Sequence, residues 1–205
     1  MKHLLIFTLC FCSLFLLSCS KKAPPSLLCE SAQDLECFLI EKGEHAAHPT
    51  LIAGIQAIEV TSQKWEVVFG EGTNYDLANI DQADYNKLCG RTFDLLDRNY
   101  EAAMIGWRYN SMNGMIELVG FFNQEDEHYI IGPIMEVAQC EVFEVQLSID
   151  FDAKIYSWVI TKEDGSFQQY SFQFQHDLRA SYEVNVYFGG NQRAPQDMQI
   201  YKREP

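Results

Sequence analysis

Trp107, Tyr109, Tyr156, Trp158 and Tyr170 fall in short runs of β-branched and aromatic residues. Planar rings carried in a row on one sheet face are a way to hold neutral sugars by stacking. The same alternation that makes these runs strands also sends every second side chain into a core, and for Trp107 and Trp158 the core is the expected place. Late in the chain Asn191 and Arg193 lie in Tyr187-Phe188-Gly189-Gly190-Asn191-Gln192-Arg193-Ala194-Pro195, where an amide and a guanidinium could face sugar hydroxyls or a carboxylate. Gly189, Gly190 and Pro195 are first of all turn formers, so the loop reads mainly as a crossover into a last strand. The ligand-binding candidates are therefore Trp107, Tyr109, Tyr170, Asn191 and Arg193.

Catalytic patterns are weaker. Glycoside hydrolysis needs two carboxyl groups about 5 to 9.5 Å apart, and Glu117, Glu141, Glu144, Asp150 and Asp152 are available on or between strands. In so acidic a chain outward carboxylates are the default, and nothing in the pattern selects two of them. A lyase would draw on His128 and His176 with Tyr170 or Tyr187, yet a negative field opposes uronate-rich polymers. There is no Gly-x-Ser-x-Gly elbow. Glu125-Asp126-Glu127 and Asp150-x-Asp152 offer hard oxygen ligands for calcium, but such runs are usually solvated turns. No catalytic residue, metal or cofactor is assigned.

Composition narrows the partners. The 205 residues are 47% hydrophobic and 13% aromatic, enough to bury one core. Fifteen basic residues against 29 acidic ones give a net charge of −14, which argues against nucleic acid and polyanions. Neutral ligands remain open.

Met1-Lys2-His3 precedes an uncharged run from Leu4 to Leu17, too short to span a bilayer and suited to a secretory leader. The run closes on Leu16-Leu17-Ser18-Cys19, which resembles the lipobox of bacterial lipoprotein precursors. That resemblance implies removal of residues 1–18 and lipidation of Cys19, with acyl chains (palmitate among them) holding the mature protein to a membrane at about 0.8 kcal/mol per buried CH₂. Residues 19–30, with Ser20-Lys21-Lys22-Ala23-Pro24-Pro25-Ser26, read as a basic tether close to anionic headgroups. The expected location is the outer membrane of a Gram-negative bacterium; no acidic residue follows Cys19 directly, which favours the periplasmic face over the cell surface.

Cys29, Cys37, Cys89 and Cys140 remain in an exported, disulfide-permissive compartment, and four cysteines allow three pairings. Cys29 with Cys37 and Cys89 with Cys140 is the expected set, the first being local and the second able to staple a loop to a strand. Zinc lacks both Cys-x-x-Cys and His-x-x-x-His spacing.

The elements that must position these residues are mostly strands. Ser31-Ala32-Gln33-Asp34 looks like a helix start, and Leu35, Phe38 and Leu39 recur at helical spacing before Gly43, which predicts one short helix from Ser31 to Lys42. Ten strands follow: Ile55 to Thr61, Trp65 to Phe69, Met104 to Tyr109, Met115 to Phe122, Tyr129 to Ile134, Glu141 to Phe151, Ile155 to Thr161, Phe167 to Phe174, Tyr182 to Phe188 and Met198 to Lys202. Phe143, Val145, Leu147, Ile149 and Phe151 share one face while Glu144, Gln146, Ser148 and Asp150 share the other. Asn113-Gly114 and Glu163-Asp164-Gly165 mark hairpins. With no helices between strands, residues 31–205 form one all-β domain, a two-sheet antiparallel β-sandwich of jelly-roll-like topology. The long stretch from Gly70 to Asn99 lacks a strand pattern and forms one wall of any site.

Tyr187, Phe188, Gly189, Gly190, Ala194, Pro195, Asp197, Met198 and Ile200 also resemble a C-terminal signature of secreted and lipid-anchored proteins of Bacteroidetes-type bacteria. Tyr85-Asn86-Lys87-Leu88-Cys89-Gly90 and Ile105-Gly106-Trp107-Arg108 are similar to two further segments of that family, so the likeness runs from about residue 50 to the end. It implies a β-sandwich and an envelope habitat, and no particular reaction. Arg98, Asn99 and Met104 depart from its pattern near Gly106-Trp107. The functions in view are a non-catalytic module binding a neutral glycan or an envelope protein, an envelope glycoside hydrolase or lyase, and a purely structural envelope lipoprotein.

Overall fold

A computed structural model describes residues 29–50, 58–94, 100–125 and 127–205. The leader, Cys19, the tether up to residue 28, and Arg98 and Asn99 lie outside the described residues. Thirteen strands are present among those described: β1 (Glu36–Ile40), β2 (Ala47–His48), β3 (Ile58–Glu59), β4 (Ser62–Phe69), β5 (Asn86–Thr92), β6 (Glu101–Asn110), β7 (Met115–Gln124), β8 (Glu127–Val137), β9 (Val142–Asp150), β10 (Ile155–Lys162), β11 (Phe167–Gln173), β12 (Ala180–Glu183) and β13 (Met198–Arg203). They form two antiparallel sheets, ordered β11-β10-β9-β4-β13-β1-β2 and β3-β12-β5-β6-β7-β8. The chain is a jelly-roll-like β-sandwich.

The alternation seen in the sequence builds the core directly. Phe143, Val145, Leu147 and Ile149 of β9 are buried, as are Tyr156, Trp158 and Ile160 of β10 and Trp65, Val67 and Phe69 of β4. Trp107 of the other sheet meets Phe69 at 4.9 Å between ring centroids, so the two sheets are locked by aromatic contacts across the layer. Truncating one such ring to alanine costs about 3–5 kcal/mol. The turns fall at Asn113-Gly114, with Gly114 at φ 74°, and at Gly165, with φ 82°.

Three expectations are corrected. The helix from Ser31 to Lys42 is instead a 3-10 turn at Glu30–Ala32 followed by β1. Leu35, Phe38 and Leu39 follow the helical period, but Phe38 and Ile40 also alternate as the buried face of a strand; pairing of β1 with β13 and β2 settles it, since both edges of the strand find backbone partners and Phe38 and Ile40 reach the core. The pattern-free stretch from Gly70 to Asn99 contains β5, whose short polar and glycine-containing sequence hides its period. Tyr182 to Phe188 is strand only as far as Glu183.

The disulfide pairing also differs. Cys29 bonds Cys140, with Cα atoms 5.1 Å apart, while Cys37 and Cys89 are thiols. Cys37 lies opposite Tyr201 on β13, and Cys89 is enclosed in the core on the other sheet, so neither expected partner can be reached. Burial pushes the Cys89 thiol up to about 12. The Cys29–Cys140 bond closes a span of 111 residues, a loop length whose closure is worth about 4–5 kcal/mol in the chain-entropy picture.

Candidate functional site

The outward face of the six-stranded sheet carries a continuous set of rings and charges. Register sets it. Lys87 of β5 lies opposite Gly106 of β6, which lies opposite Val119 of β7; Arg108 of β6 lies opposite Glu117, and Glu117 opposite Glu136 of β8. Their chain neighbours Asn86, Trp107 and Leu118 point between the sheets.

At one end of this face the Arg108 guanidinium stacks 4.5 Å from the Tyr85 ring centre. Its Nε donates to Glu117 Oε2 at 2.7 Å and its Nη1 to the Ala83 carbonyl at 3.0 Å. Asn110 Nδ2 donates to the other Glu117 oxygen, also at 2.7 Å. A charged side chain held by stacking and by two acceptors loses little further freedom on binding, so this end is pre-organised. At the other end Lys87 Nζ lies 6.0 Å from the Phe121 ring centre and 5.8 Å from that of Tyr187. Tyr187 stacks on His45 at 5.3 Å and 10°. His45 Nδ1 is 2.8 Å from the Phe188 carbonyl, which can only accept, so that nitrogen carries the proton. Phe121 continues to His128, and His128 to Asn123 at 2.7 Å.

The loop after Tyr187 holds this end in place. Lys87 and Tyr187 exchange backbone hydrogen bonds of 2.8 and 3.0 Å, and Gly189 N donates to Asn86 Oδ1 at 2.8 Å. A Cβ on Gly189 would run into the Tyr85 carbonyl, so the close approach of this loop to the Tyr85–Asn86 backbone requires glycine.

Tyr85, Lys87, Arg108, Phe121, Tyr182 and Tyr187 are all half-buried, with ring surface open to solvent. Rings, two cations and two carboxylates give this face a balanced charge on a strongly acidic protein. It can accept the apolar C–H faces of a neutral sugar and exchange hydrogen bonds with its hydroxyls. Glu117 and Glu136 are the carboxylates closest to an acid-base pair, but Glu117 is satisfied by Arg108 and Asn110, and Glu136 accepts from Asn113 at 2.9 Å.

The residues singled out from sequence do not converge. Trp107 is fully buried and Tyr109 half-buried, both facing between the sheets, where the Tyr75 ring meets each. Tyr170, opposite Trp158, packs on the core from β11. Trp107 is corrected as a ligand candidate, because it is wholly enclosed; Tyr109 and Tyr170 face inward and keep part of their surface exposed. Asn191 and Arg193 are exposed, and Arg193 Nη1 donates to the Gly43 carbonyl at 2.9 Å, tying down the loop before β2. Of the histidines and tyrosines considered for a lyase, His128 and Tyr187 reach the ring-bearing face, whereas His176 and Tyr170 do not. Asp150 Oδ1 accepts the backbone N–H of Asp152 and of Ala153, so it serves the β9–β10 turn. Tyr85 and Lys87, missed by the sequence reading, lie in the Gly70–Asn99 stretch that was expected to wall a site.

Two polar clusters lie inside the sandwich. Lys202 of β13 donates to Glu183 of β12 at 2.9 Å and sits 5.0 Å over the Phe38 ring; Trp65 Nε1 donates to the same Glu183 oxygen at 3.2 Å. A cavity of about 330 Å³ opens beside them, rimmed by Asp34, Glu36, Arg203 and Glu204. In the same cluster Arg91, opposite Glu183 in register, donates to the Ser181 hydroxyl at 3.0 Å and to its carbonyl. Elsewhere His176 Nε2 is 2.6 Å from the Tyr156 hydroxyl and 3.8 Å from Glu101. Burial raises Glu101 to about 7 and lowers His176 to about 4. Tyr156 is raised too, chiefly by burial.

No family model matches the chain, and no curated protein matches it. Among solved structures, an alginate lyase from Klebsiella pneumoniae superposes with a TM-score of 0.46 at 9% identity over 70% of this chain, which spans 57% of the lyase. The winged bean acidic lectin complexed with methyl-α-D-galactose gives 0.42 at 10% identity over 87% of this chain and 73% of the lectin. The enzymatically active domain of tailspike protein 2 of bacteriophage CBA120 gives 0.41 at 8% identity, over 73% of this chain and 23% of that one. Such distant likeness concerns the arrangement of strands alone.

Proposed function

We propose that this chain is a lipid-anchored envelope protein that binds a neutral glycan, without transforming it, on the outward face of its six-stranded sheet. The observation that carries the binding reading is the continuous strip from Tyr85 and Arg108 through Lys87 to Tyr187 and Phe121, where half-exposed rings alternate with side chains already fixed by hydrogen bonds and stacking. The anchor rests on Leu16-Leu17-Ser18-Cys19. Palmitate labelling of the wild type, lost in Cys19→Ala, supports it; an unlabelled wild type ends it.

A glycan array followed by calorimetry on the chain from Ser20 onward tests the ligand. Tyr85→Ala and Tyr187→Ala are each expected to weaken binding about three- to tenfold, the range for loss of one stacked ring. Silence across neutral glycans, or full affinity in both variants, removes the glycan reading. Glycoside hydrolysis is the second reading, favoured only by the placement of Glu117 directly opposite Glu136. Release of reducing ends by the wild type, abolished in Glu117→Gln, would establish it. An envelope protein as partner in place of a glycan is the third, and would appear as binding to cell-envelope protein that the two tyrosine variants leave intact.

A further inference from the structure

The sandwich has four sheet edges among the described residues, formed by β2, β3, β8 and β11. A free edge offers unpaired N–H and C=O groups to any extended chain, and proteins usually blunt it by shortness, charge, proline or a bulge. Three of the four are blunted. β2 and β3 are two residues long. β8 carries Glu127, Glu136 and the Gly132-Pro133 break, with a register shift opposite Leu118 and Gly120.

β11 is different. Its seven residues, Phe-Gln-Gln-Tyr-Ser-Phe-Gln from Phe167 to Gln173, contain no charge, no proline and no glycine, and pair in unbroken register with β10 on one side only. Phe167, at its start, is 62% exposed. On a chain of net charge −14 this is a stretch where a second, equally acidic copy brings no like charge against the strand itself.

We infer that the chain self-associates through β11, two copies aligning these strands antiparallel so that the seven-stranded sheet runs on through both protomers. The occupant follows from what the edge demands. It must supply an extended, uncharged, proline-free backbone of matching length, and among the described edges of a second copy β11 is the strand that does. The strand is also self-complementary about Tyr170: with Tyr170 on the two-fold axis, Gln169 faces the partner's Ser171, Gln168 faces the partner's Phe172, and the exposed Phe167 is covered beside the partner's Gln173. A two-fold axis normal to the sheet keeps both six-stranded sheets on the same side. Both ring-bearing faces then look the same way, which would give avidity to any repetitive ligand, although the pairing itself does not depend on the glycan reading.

Light scattering on the full chain in detergent, with the detergent mass subtracted, tests this from about 1 to about 100 µM, a range in which mass action reveals micromolar dimers. The wild type is expected to double in mass across it. Gln169→Lys with Ser171→Lys sets lysines opposite each other twice on the solvent side of the strand, and is expected to weaken the dimer at least tenfold while circular dichroism and the thermal midpoint, taken at about 1 µM where both chains are monomeric, stay those of the wild type. Tyr170→Cys, on the axis, is expected to give a disulfide-linked dimer that Phe167→Cys does not. A wild type that stays monomeric, a dimer indifferent to the two lysines, or a Tyr170→Cys chain that fails to cross-link overturns the proposal.

Discussion

Lys202 and His176 are both basic side chains drawn into the sandwich, 4% and 7% exposed, yet their surroundings answer the loss of water differently. Lys202 meets the Glu183 carboxylate at 2.9 Å, and Trp65 donates to the same oxygen, so opposite charges and a neutral donor share the load. His176 has a carboxyl group within 3.8 Å as well, but Glu101 is as enclosed as the imidazole, and burial drives the pair toward their uncharged forms: Glu101 up to about 7, His176 down to about 4. What separates them is access to solvent for one partner. Glu183 keeps 24% of its side chain exposed at the cavity, whereas Glu101 keeps 4%. A buried ion pair holds where one member can still be hydrated; where neither can, neutral hydrogen bonding takes over.

The contrast can be broken most forcefully at Lys202. Lys202→Met leaves Glu183 without its cation and is expected to cost about 3 kcal/mol, at the low end for a severed buried pair because Glu183 is partly hydrated. Urea unfolding measures it. The double change Lys202→Met with Glu183→Gln is expected to recover most of the loss; a single variant as stable as the wild type would show that the pair contributes nothing.

The second cluster gives a pH signature whose ceiling, for one proton, is about 1.4 kcal/mol per pH unit. A carboxyl group raised on folding stabilises the fold below its unfolded value, near 4.5, and that contribution is lost as pH rises toward about 7. An imidazole lowered on folding acts oppositely, contributing above 6.5 and losing ground as pH falls toward about 4. The two slopes oppose each other between 4.5 and 6.5. Glu101→Gln should therefore expose a thermal midpoint that falls with acidification through this window, and His176→Asn one that falls with rising pH. Identical profiles for the two variants would sink the comparison. The smallest effect is expected at Arg203–Glu66, a largely solvated pair at 2.8 Å. Arg203→Ala should move stability by less than about 0.5 kcal/mol, since water screens what the interior does not.

Much of the fold was legible in the sequence because the strands that build the core have one wet face. β9 writes its burial in plain alternation from Phe143 to Ile149, and Gly114 and Gly165 mark the turns where the backbone must enter the left-handed region. β1 and β5 were hidden for a different reason. Leu35, Phe38 and Leu39 follow a helical period while Phe38 and Ile40 follow a strand's, and pairing with β2 and with β13, far along the chain, decides between them. The ring-bearing face was the least legible part. Tyr85, Lys87, Arg108, Phe121 and Tyr187 are brought together by register across four separate segments, and no local pattern announces that. Trp107 and Trp158 drew attention instead, and both lie in the core that their alternation had made the expected place. One local sign was available: Arg108, Asn110 and Glu117 are polar side chains in phase on two strands joined by the Asn113-Gly114 hairpin, which predicts a shared outward face.

The Cys29–Cys140 bond has a mechanical consequence if the chain is held at Cys19 as proposed. A pull on the envelope tether enters the described fold at Cys29, just ahead of β1, a five-residue strand that could be peeled from its neighbours one hydrogen bond at a time. The covalent link diverts that load to Cys140, next to β9 in the middle of the sheet, where the strands must slide past one another together. A tethered protein so clamped resists shear, and reduction of this single bond would convert it into one that unzips.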